Sequence, residues 1–166
     1  MLVRPATPDD ALAVAGVHVR AWQVGYRGLL PDVYLDGLRA EERARRYTFG
    51  SAEPSAPRTL VAVEADTIVG FTSTAPASDL AGVGELVALY VDPSGWRRGV
   101  GRALIAAARA RLVEQGFGAC LLWLLAGNRA GEAFYRADGW LPEGTRRLAE
   151  VWGVEVDEIR FRRPLS

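Results

Sequence analysis

The chain has 166 residues, 49% hydrophobic and 24% charged, which suits one soluble domain over residues 1–166 with a core that needs no staples. Its 20 basic and 20 acidic residues cancel, so bulk attraction to nucleic acid is not expected. One cysteine (Cys120) and one histidine (His18) exclude an intramolecular disulfide and a His-rich metal site, and the absence of lysine excludes Schiff-base catalysis and a lysine-bearing phosphate loop.

Leu2–Pro5 reads as a short first strand. Thr7-Pro8-Asp9-Asp10 is a helix start, with a hydroxyl cap, proline at the first helical position and acids in the first turn. This helix is expected to run to about Trp22. Gln23 to Pro31 reads as a linker, and a second helical region follows with Tyr34, Leu35 and Leu38 at helical spacing. Glu41–Tyr47 is strongly charged, the character of a solvated helix face. Ser51–Arg58, with Pro54 and Pro57, is a loop. Thr59–Glu64 and Ile68–Thr74 are β-rich segments about Ala65-Asp66, a hairpin signal. Ala75–Gly84 is a second loop, and Leu86–Val91 is almost wholly apolar, as a central strand is.

That strand enters Asp92-Pro93-Ser94-Gly95-Trp96-Arg97-Arg98-Gly99-Val100-Gly101-Arg102, a Gly/Arg-rich turn that opens a helix. Gly99 and Gly101 carry no Cβ and let the backbone approach a ligand. The unpaired N–H groups of a first helical turn favour anions, so the segment has the chemistry of a pyrophosphate cradle, and Arg97, Arg98 and Arg102 add positive charge. Val100, Leu104, Ala108 and Leu112 form one buried stripe, and Gly116 ends the helix. Ala119–Leu125 is a second apolar strand, Asn128–Ala137 is helical, and Val151-Trp152 with Val154–Phe161 suggest a closing hairpin about Gly153. The unit from Leu86 to Leu125 is a parallel crossover, whereas the earlier hairpin is antiparallel, so a mixed sheet is expected. No signal peptide is visible, and the longest uncharged apolar run, Phe117 to Gly127, is too short to span a bilayer. With the lone cysteine, this leads us to expect a cytoplasmic protein without membrane or nucleic-acid partners.

Two segments resemble the motifs of the GNAT superfamily of acetyl-CoA-dependent N-acetyltransferases. Trp96-Arg97-Arg98-Gly99-Val100-Gly101 is similar to the family's Q/R-x-x-G-x-G/A loop, with Trp96 where Gln or Arg is frequent. Asn128 through Trp140 is similar to N-x-x-A-x-x-F-Y-x-x-x-G-F, with Gly131 replacing alanine and Trp140 replacing phenylalanine. The two occur in order, separated by a predicted strand, and the resemblance extends over roughly the whole chain.

The resemblance implies a single α/β (α+β) domain. Its sheet is mixed and mostly antiparallel, with a central splayed parallel pair, flanked by about four helices. It implies acetyl-CoA as co-substrate and no metal. The pantetheine arm would lie between Leu86–Val91 and Ala119–Leu125, bonded by Leu89, Tyr90 and Val91 in the manner of an added strand. A backbone N–H near Val91 would polarise the thioester carbonyl. Trp96, Arg97, Arg98, Gly99, Val100, Gly101 and Arg102 would hold the pyrophosphate, and Asn128 and Tyr135 would contact the pantetheine arm and the sulfur.

Glu85, which opens the strand leading to the loop, stands where several family members have a catalytic acid or imidazole. A carboxylate beside an apolar strand is easily desolvated, which raises its pKa toward that of a useful base. The plain alternative is a solvent-facing glutamate at a strand end. Tyr135 is the candidate acid for the departing thiolate, against the alternative of a core aromatic. His18, Trp22 and Tyr26, four residues apart, would share a helix face and form the acceptor wall, against the alternative of core packing. Cys120 reads as inert packing. The expected reaction is direct transfer, in a ternary complex, to a primary amine: a small molecule, an amino acid or a peptide N-terminus. The resemblance leaves a homodimer open. The rival is a non-catalytic acyl-CoA-binding sensor on the same scaffold. A dinucleotide-binding fold is disfavoured because Leu104 stands where its fingerprint needs Gly or Ala.

Overall fold

Arg4 and Asp10 fix the entry of the chain into its first helix. In the computed structural model, which describes residues 1–165, strand β1 (Leu2–Pro5) leads into a 3-10 turn, Pro8–Asp10. The Asp10 carboxylate accepts from Arg4 at 2.7 Å and from the Thr7 N–H at 2.8 Å. Helix α1 (Ala11–Gly25) follows and runs three residues past the expected Trp22, because the Tyr26 N–H still reaches the Trp22 carbonyl at 3.0 Å. The second helical region resolves into two short helices, α2 (Asp32–Asp36) and α3 (Ala40–Ala44).

Strands β2 (Arg58–Glu64) and β3 (Thr67–Pro76) form the expected hairpin. Ala65 and Asp66 at its turn both have positive φ, 46° and 63°, the two-residue geometry that matches strand twist. β1 pairs antiparallel with β2, from Leu2↔Val63 to Pro5↔Leu60. Strand β4 (Gly84–Val91) precedes a 3-10 turn, Pro93–Gly95, and helix α4 (Val100–Glu114). Strand β5 (Ala119–Leu125), helix α5 (Arg129–Ala137) and strands β6 (Leu141–Val151) and β7 (Val154–Pro164) complete the chain. The described residues thus carry seven strands in one mixed sheet, in the order β1-β2-β3-β4-β5-β7-β6, and five α-helices where about four were expected.

The chain divides into two compact units, with boundaries inside β3, β4 and α4. The first comprises Met1–Ala75 and Leu86–Arg111. Its core packs Val14 and Val17 of α1 against Val61 and Phe71, and Val100 and Leu104 of α4 against Ala62. Gly70 lets strand and helix pack closely, since a Cβ there would lie 3.0 Å from Leu104 and 3.1 Å from the Tyr90 carbonyl oxygen.

The second unit comprises Pro76–Glu85 and the chain from Leu112 onward. β4 enters it through Gly84↔Cys120 and Glu85↔Leu121, its two parallel positions with β5. Gly84 has no room for a side chain, since a Cβ would meet Leu112 at 2.6 Å and Phe117 at 3.2 Å. β5 runs antiparallel to β7 from Ala119↔Pro164 to Leu125↔Glu158. The closing hairpin turns at Trp152-Gly153, as expected, but its strands reach back to Leu141 and on to Pro164. Most of β6 is exposed, so its sequence lacks the apolar alternation that marks a strand. β6 is held by backbone pairing and by cross-strand ion pairs, Arg146–Asp157 at 2.6 Å and Arg147–Glu158 at 2.9 Å.

Candidate functional site

The Gly/Arg-rich turn is tied down at both shoulders, all within the first unit. Asp92 ends β4 and its Oδ1 accepts from the Ser94 N–H at 3.1 Å and the Ser94 hydroxyl at 2.8 Å. Arg20 of α1 donates its Nε–H to Asp92 Oδ2 at 2.7 Å. Desolvation pushes the Asp92 carboxyl up, but the Ser94 bonds and the Arg20 guanidinium outweigh it and hold the carboxyl below its ordinary value. Asp92 is therefore a fixed anion that shapes the turn. The Trp96 indole N–H donates to the Val91 carbonyl at 2.8 Å, while 43% of the residue stays exposed. Trp96 thus replaces the polar side chain frequent in the family with a staple from loop to strand.

Past Trp96 the backbone lies open. Arg97 has φ 62° and Gly99 has φ 84°, both in the left-handed region that nest-like turns use. Arg97, Arg98 and Gly99 are exposed, and a Cβ at Gly99 would meet nothing within 4 Å. Val100 is buried, which anchors the start of α4, with Gly101 and Arg102 in the first turn. The N–H groups of that turn have no partner within the helix. The exposed Arg98 reaches the partly buried Glu64 at 3.6 Å, a long contact that leaves its charge near the turn. An open backbone, a helix start and three arginines fit a diphosphate.

The residues expected to form an acceptor wall also lie in the first unit. His18 and Trp22 are each only 3% exposed, whereas Tyr26 is partly exposed. The His18 ring stacks on Tyr90 of β4 at 4.8 Å, and its Nδ1 lies 2.9 Å from the Tyr47 hydroxyl. Burial, aided by the Arg43 charge, pushes the His18 pKa well below its usual value, so the ring is neutral at pH 7. The Tyr47 hydroxyl is pushed up to about 12, chiefly by burial. Trp22 packs edge-on against Tyr26 at 5.0 Å, and the Tyr26 and Tyr90 hydroxyls are 3.4 Å apart. His18 and Trp22 thus back the one ring of the three with substantial exposure.

In the second unit, Glu85 is half-buried and in register with Leu121. Its side chain therefore shares the sheet face of Leu121 and Trp123. Desolvation raises its pKa; nearby Arg147 lowers it, and Asp79 and Glu158 raise it further. Helix α5 packs on the opposite face. A Cβ at Gly131 would meet Leu124 at 3.0 Å, and Arg136 lies over Phe161, whose register partner is Leu122.

Asn128 caps α5 by accepting the Gly131 N–H at 2.9 Å. With Asn128 placed in this way, a Cβ at Gly131 would fall 2.6 Å from its Nδ2. Tyr135 lies on α5, its ring 6.1 Å from the buried Trp140 ring, and the Trp140 N–H donates to Asp138 at 3.0 Å. Cys120 is buried, with Sγ 3.7 Å from the Arg163 carbonyl oxygen. Sequence reasoning missed Arg20, Asp92, Arg147, Glu158 and the staple of Trp96. Only Asp92 carried a signal, as an acid two residues before a serine at a helix-like turn. The others depend on cross-chain contacts.

The sequence profile of the acetyltransferase (GNAT) family matches residues 22–140. An uncharacterized N-acetyltransferase of Bacillus subtilis (strain 168), YuaI, is 32% identical over 164 residues, covering 95% of this chain and 89% of that protein. Among solved structures, PaiA N-acetyltransferase from Thermoplasma acidophilum in complex with coenzyme A superposes with TM-score 0.71 at 19% identity, covering 98% of each chain. A ribosomal-protein-alanine N-acetyltransferase from Brucella melitensis gives 0.69 at 22% identity, covering 99% of each. No helix among the described residues is long and apolar enough to cross a membrane.

Proposed function

The chain belongs to the acetyltransferase (GNAT) family, and from that premise we propose that it moves an acetyl group from acetyl-CoA directly to a primary amine in a ternary complex. The observation that carries the proposal is the open turn from Trp96 to Arg102 at the start of α4. Its N–H groups and arginines take the pyrophosphate of acetyl-CoA, and coenzyme A in the Thermoplasma structure supports a donor of that kind. Leu89, Tyr90 and Val91 bond the pantetheine arm, and Asn128 adds a contact beside its capping role. What supports this is that β4 pairs in parallel with β5 at Gly84 and Glu85, ahead of that segment in the strand.

The acceptor is a small amine, an amino acid or a peptide N-terminus; the name of the Brucella protein supports the last class. Tyr26, backed by His18 and Trp22, contacts it. Glu85 takes the proton of the ammonium, directly or through a water, and the amine nitrogen attacks the thioester carbonyl. The oxyanion is stabilised by a backbone N–H near Val91. Collapse breaks the C–S bond, the Tyr135 hydroxyl protonates the departing thiolate, and the second proton, lost by the nitrogen as the amide forms, returns to the Tyr135 phenolate through solvent. Glu85 and the helix bearing Tyr135 lie on opposite faces of β5, so acid and base work on two partners that arrive from two sides. We place the reaction in the cytoplasm, where a single cysteine needs no disulfide partner.

Mass spectrometry tests the proposal. With acetyl-CoA alone the intact mass of the protein should stay unchanged, and an acetylated amine should appear only when both substrates are present. A stable acetyl-protein that hands its acetyl to an amine would contradict direct transfer. Acetyl-CoA binding with no product from any amine would favour the sensor.

A further inference from the structure

The Glu85 face of the second unit carries a charged network that the proposed reaction does not use. Arg147 of β6 lies over Trp123 of β5, its guanidinium carbon 4.0 Å from the ring centroid. Its Nε–H donates to Glu158 of β7 at 2.9 Å, and Glu158, directly opposite in the register, is only 8% exposed. Arg160 of β7 approaches the same ring at 5.6 Å. It is engaged by Glu143 of β6 at 3.0 Å and by Asp79, between β3 and β4, at 3.5 Å. Arg162, exposed on the same face of β7, is in register with Leu121. Glu85 is Leu121's register partner on β4, so Arg162 lies one strand beyond Leu121 from it, and Trp123, with the Arg147 guanidinium over its ring, lies two residues along β5 on the same face. The Trp123 Nε1 is buried without a hydrogen-bond partner among the described residues, a costly arrangement for an indole. What the ring offers is its face, a seat for two guanidinium groups.

We infer that Glu158 is a positioning residue for Glu85: by gripping Arg147 on the Trp123 ring, it keeps that guanidinium from pairing with the Glu85 carboxylate. An ion pair on Glu85 would stabilise the carboxylate and spoil it as a base. Glu158 instead absorbs the charge of Arg147, and burial keeps Glu85 basic. This rests on the reading of Glu85 as the base, but it makes a claim about Glu85's own titration that holds whether or not amines are acetylated.

The experiment is a 13C NMR titration of the Glu85 side-chain carboxyl, assigned by its loss in Glu85→Gln, alongside pH–rate profiles. In Glu158→Gln the titration midpoint should fall, since a negative neighbour is lost and Arg147 is loosened. In Arg147→Met, which keeps a stem over Trp123, it should rise. Glu158→Asp should restore most of the wild-type midpoint. Adding Glu158→Gln to Arg147→Met should displace the midpoint less than Glu158→Gln does alone. Midpoints that do not move, that move the same way in both single variants, or that show the full Glu158→Gln displacement without Arg147 would overturn the inference. If the carboxyl titrates as expected while the pH–rate profile fails to follow it, the positioning stands and the base reading falls.

Discussion

At Glu85, burial raises the carboxyl pKa and is the largest influence; Arg147 opposes it, while Asp79 and Glu158 add to it. A carboxylate raised in this way is a better proton acceptor near neutral pH. Glu85→Gln keeps the shape and removes the basicity, so turnover at neutral pH should fall by roughly 10²–10⁴-fold. The loss should shrink at high pH, where the amine deprotonates unaided; wild-type turnover at neutral pH would exclude Glu85 as the base. Tyr135→Phe should lower kcat by roughly tenfold or more, about 1.4 kcal/mol, with a smaller change in the KM for acetyl-CoA. Equal and small changes in both would make Tyr135 a packing residue.

His18 makes a different prediction. Its folded pKa lies well below the ordinary 6.5, because burial disfavours the charged ring. The unfolded chain therefore binds a proton at mildly acidic pH that the folded chain refuses. Stability should be full above the unfolded pKa and fall as pH drops below it, seen as a lower urea midpoint at about pH 5.5 than at about pH 7.5. His18→Gln loses the ring contacts and should be less stable throughout, with a shallower decline over that range. An equally steep decline in the variant would assign the acid sensitivity to other groups.

Among the elements, the turn into α4 is the proposed donor site. Gly101 sits in the first helical turn, where a branched side chain is compatible with the helix but would stand between backbone and phosphate. Gly101→Val should fold, as judged by circular dichroism, and bind acetyl-CoA at least about tenfold more weakly by calorimetry. Unchanged affinity would place the pyrophosphate elsewhere. This turn was legible in the sequence because its chemistry is local: an apolar strand, two glycines and a helix start. The hairpin at Ala65-Asp66 and the turn at Thr7–Asp10 were legible for the same reason, although the latter is a 3-10 turn and α1 itself begins at Ala11. β6 was not, because its stability comes from pairing with β7 and from cross-strand ion pairs rather than an apolar face. Nor could spacing reveal that Arg20 braces Asp92 from 72 residues away, or that Trp96 bonds back to Val91. The shared face of His18, Trp22 and Tyr26 was readable; which of the three is exposed depends on the residues packed around them.

For the molecule as a whole, membership in the acetyltransferase family, the opened turn at α4 and the desolvated carboxylate at the end of the β4–β5 ladder point to acetyl transfer. Binding of acetyl-CoA alone would not separate an enzyme from a sensor, because both need the turn. The most direct measurement is the release of coenzyme A thiol from acetyl-CoA across a panel of primary amines, amino acids and peptides at neutral pH, with acetylated product quantified in the same samples. The account predicts thiol and acetylated amine in equal amounts for at least one acceptor class, with both lost in Glu85→Gln. Tight acetyl-CoA binding without thiol release above the amine-free rate for any acceptor would contradict it.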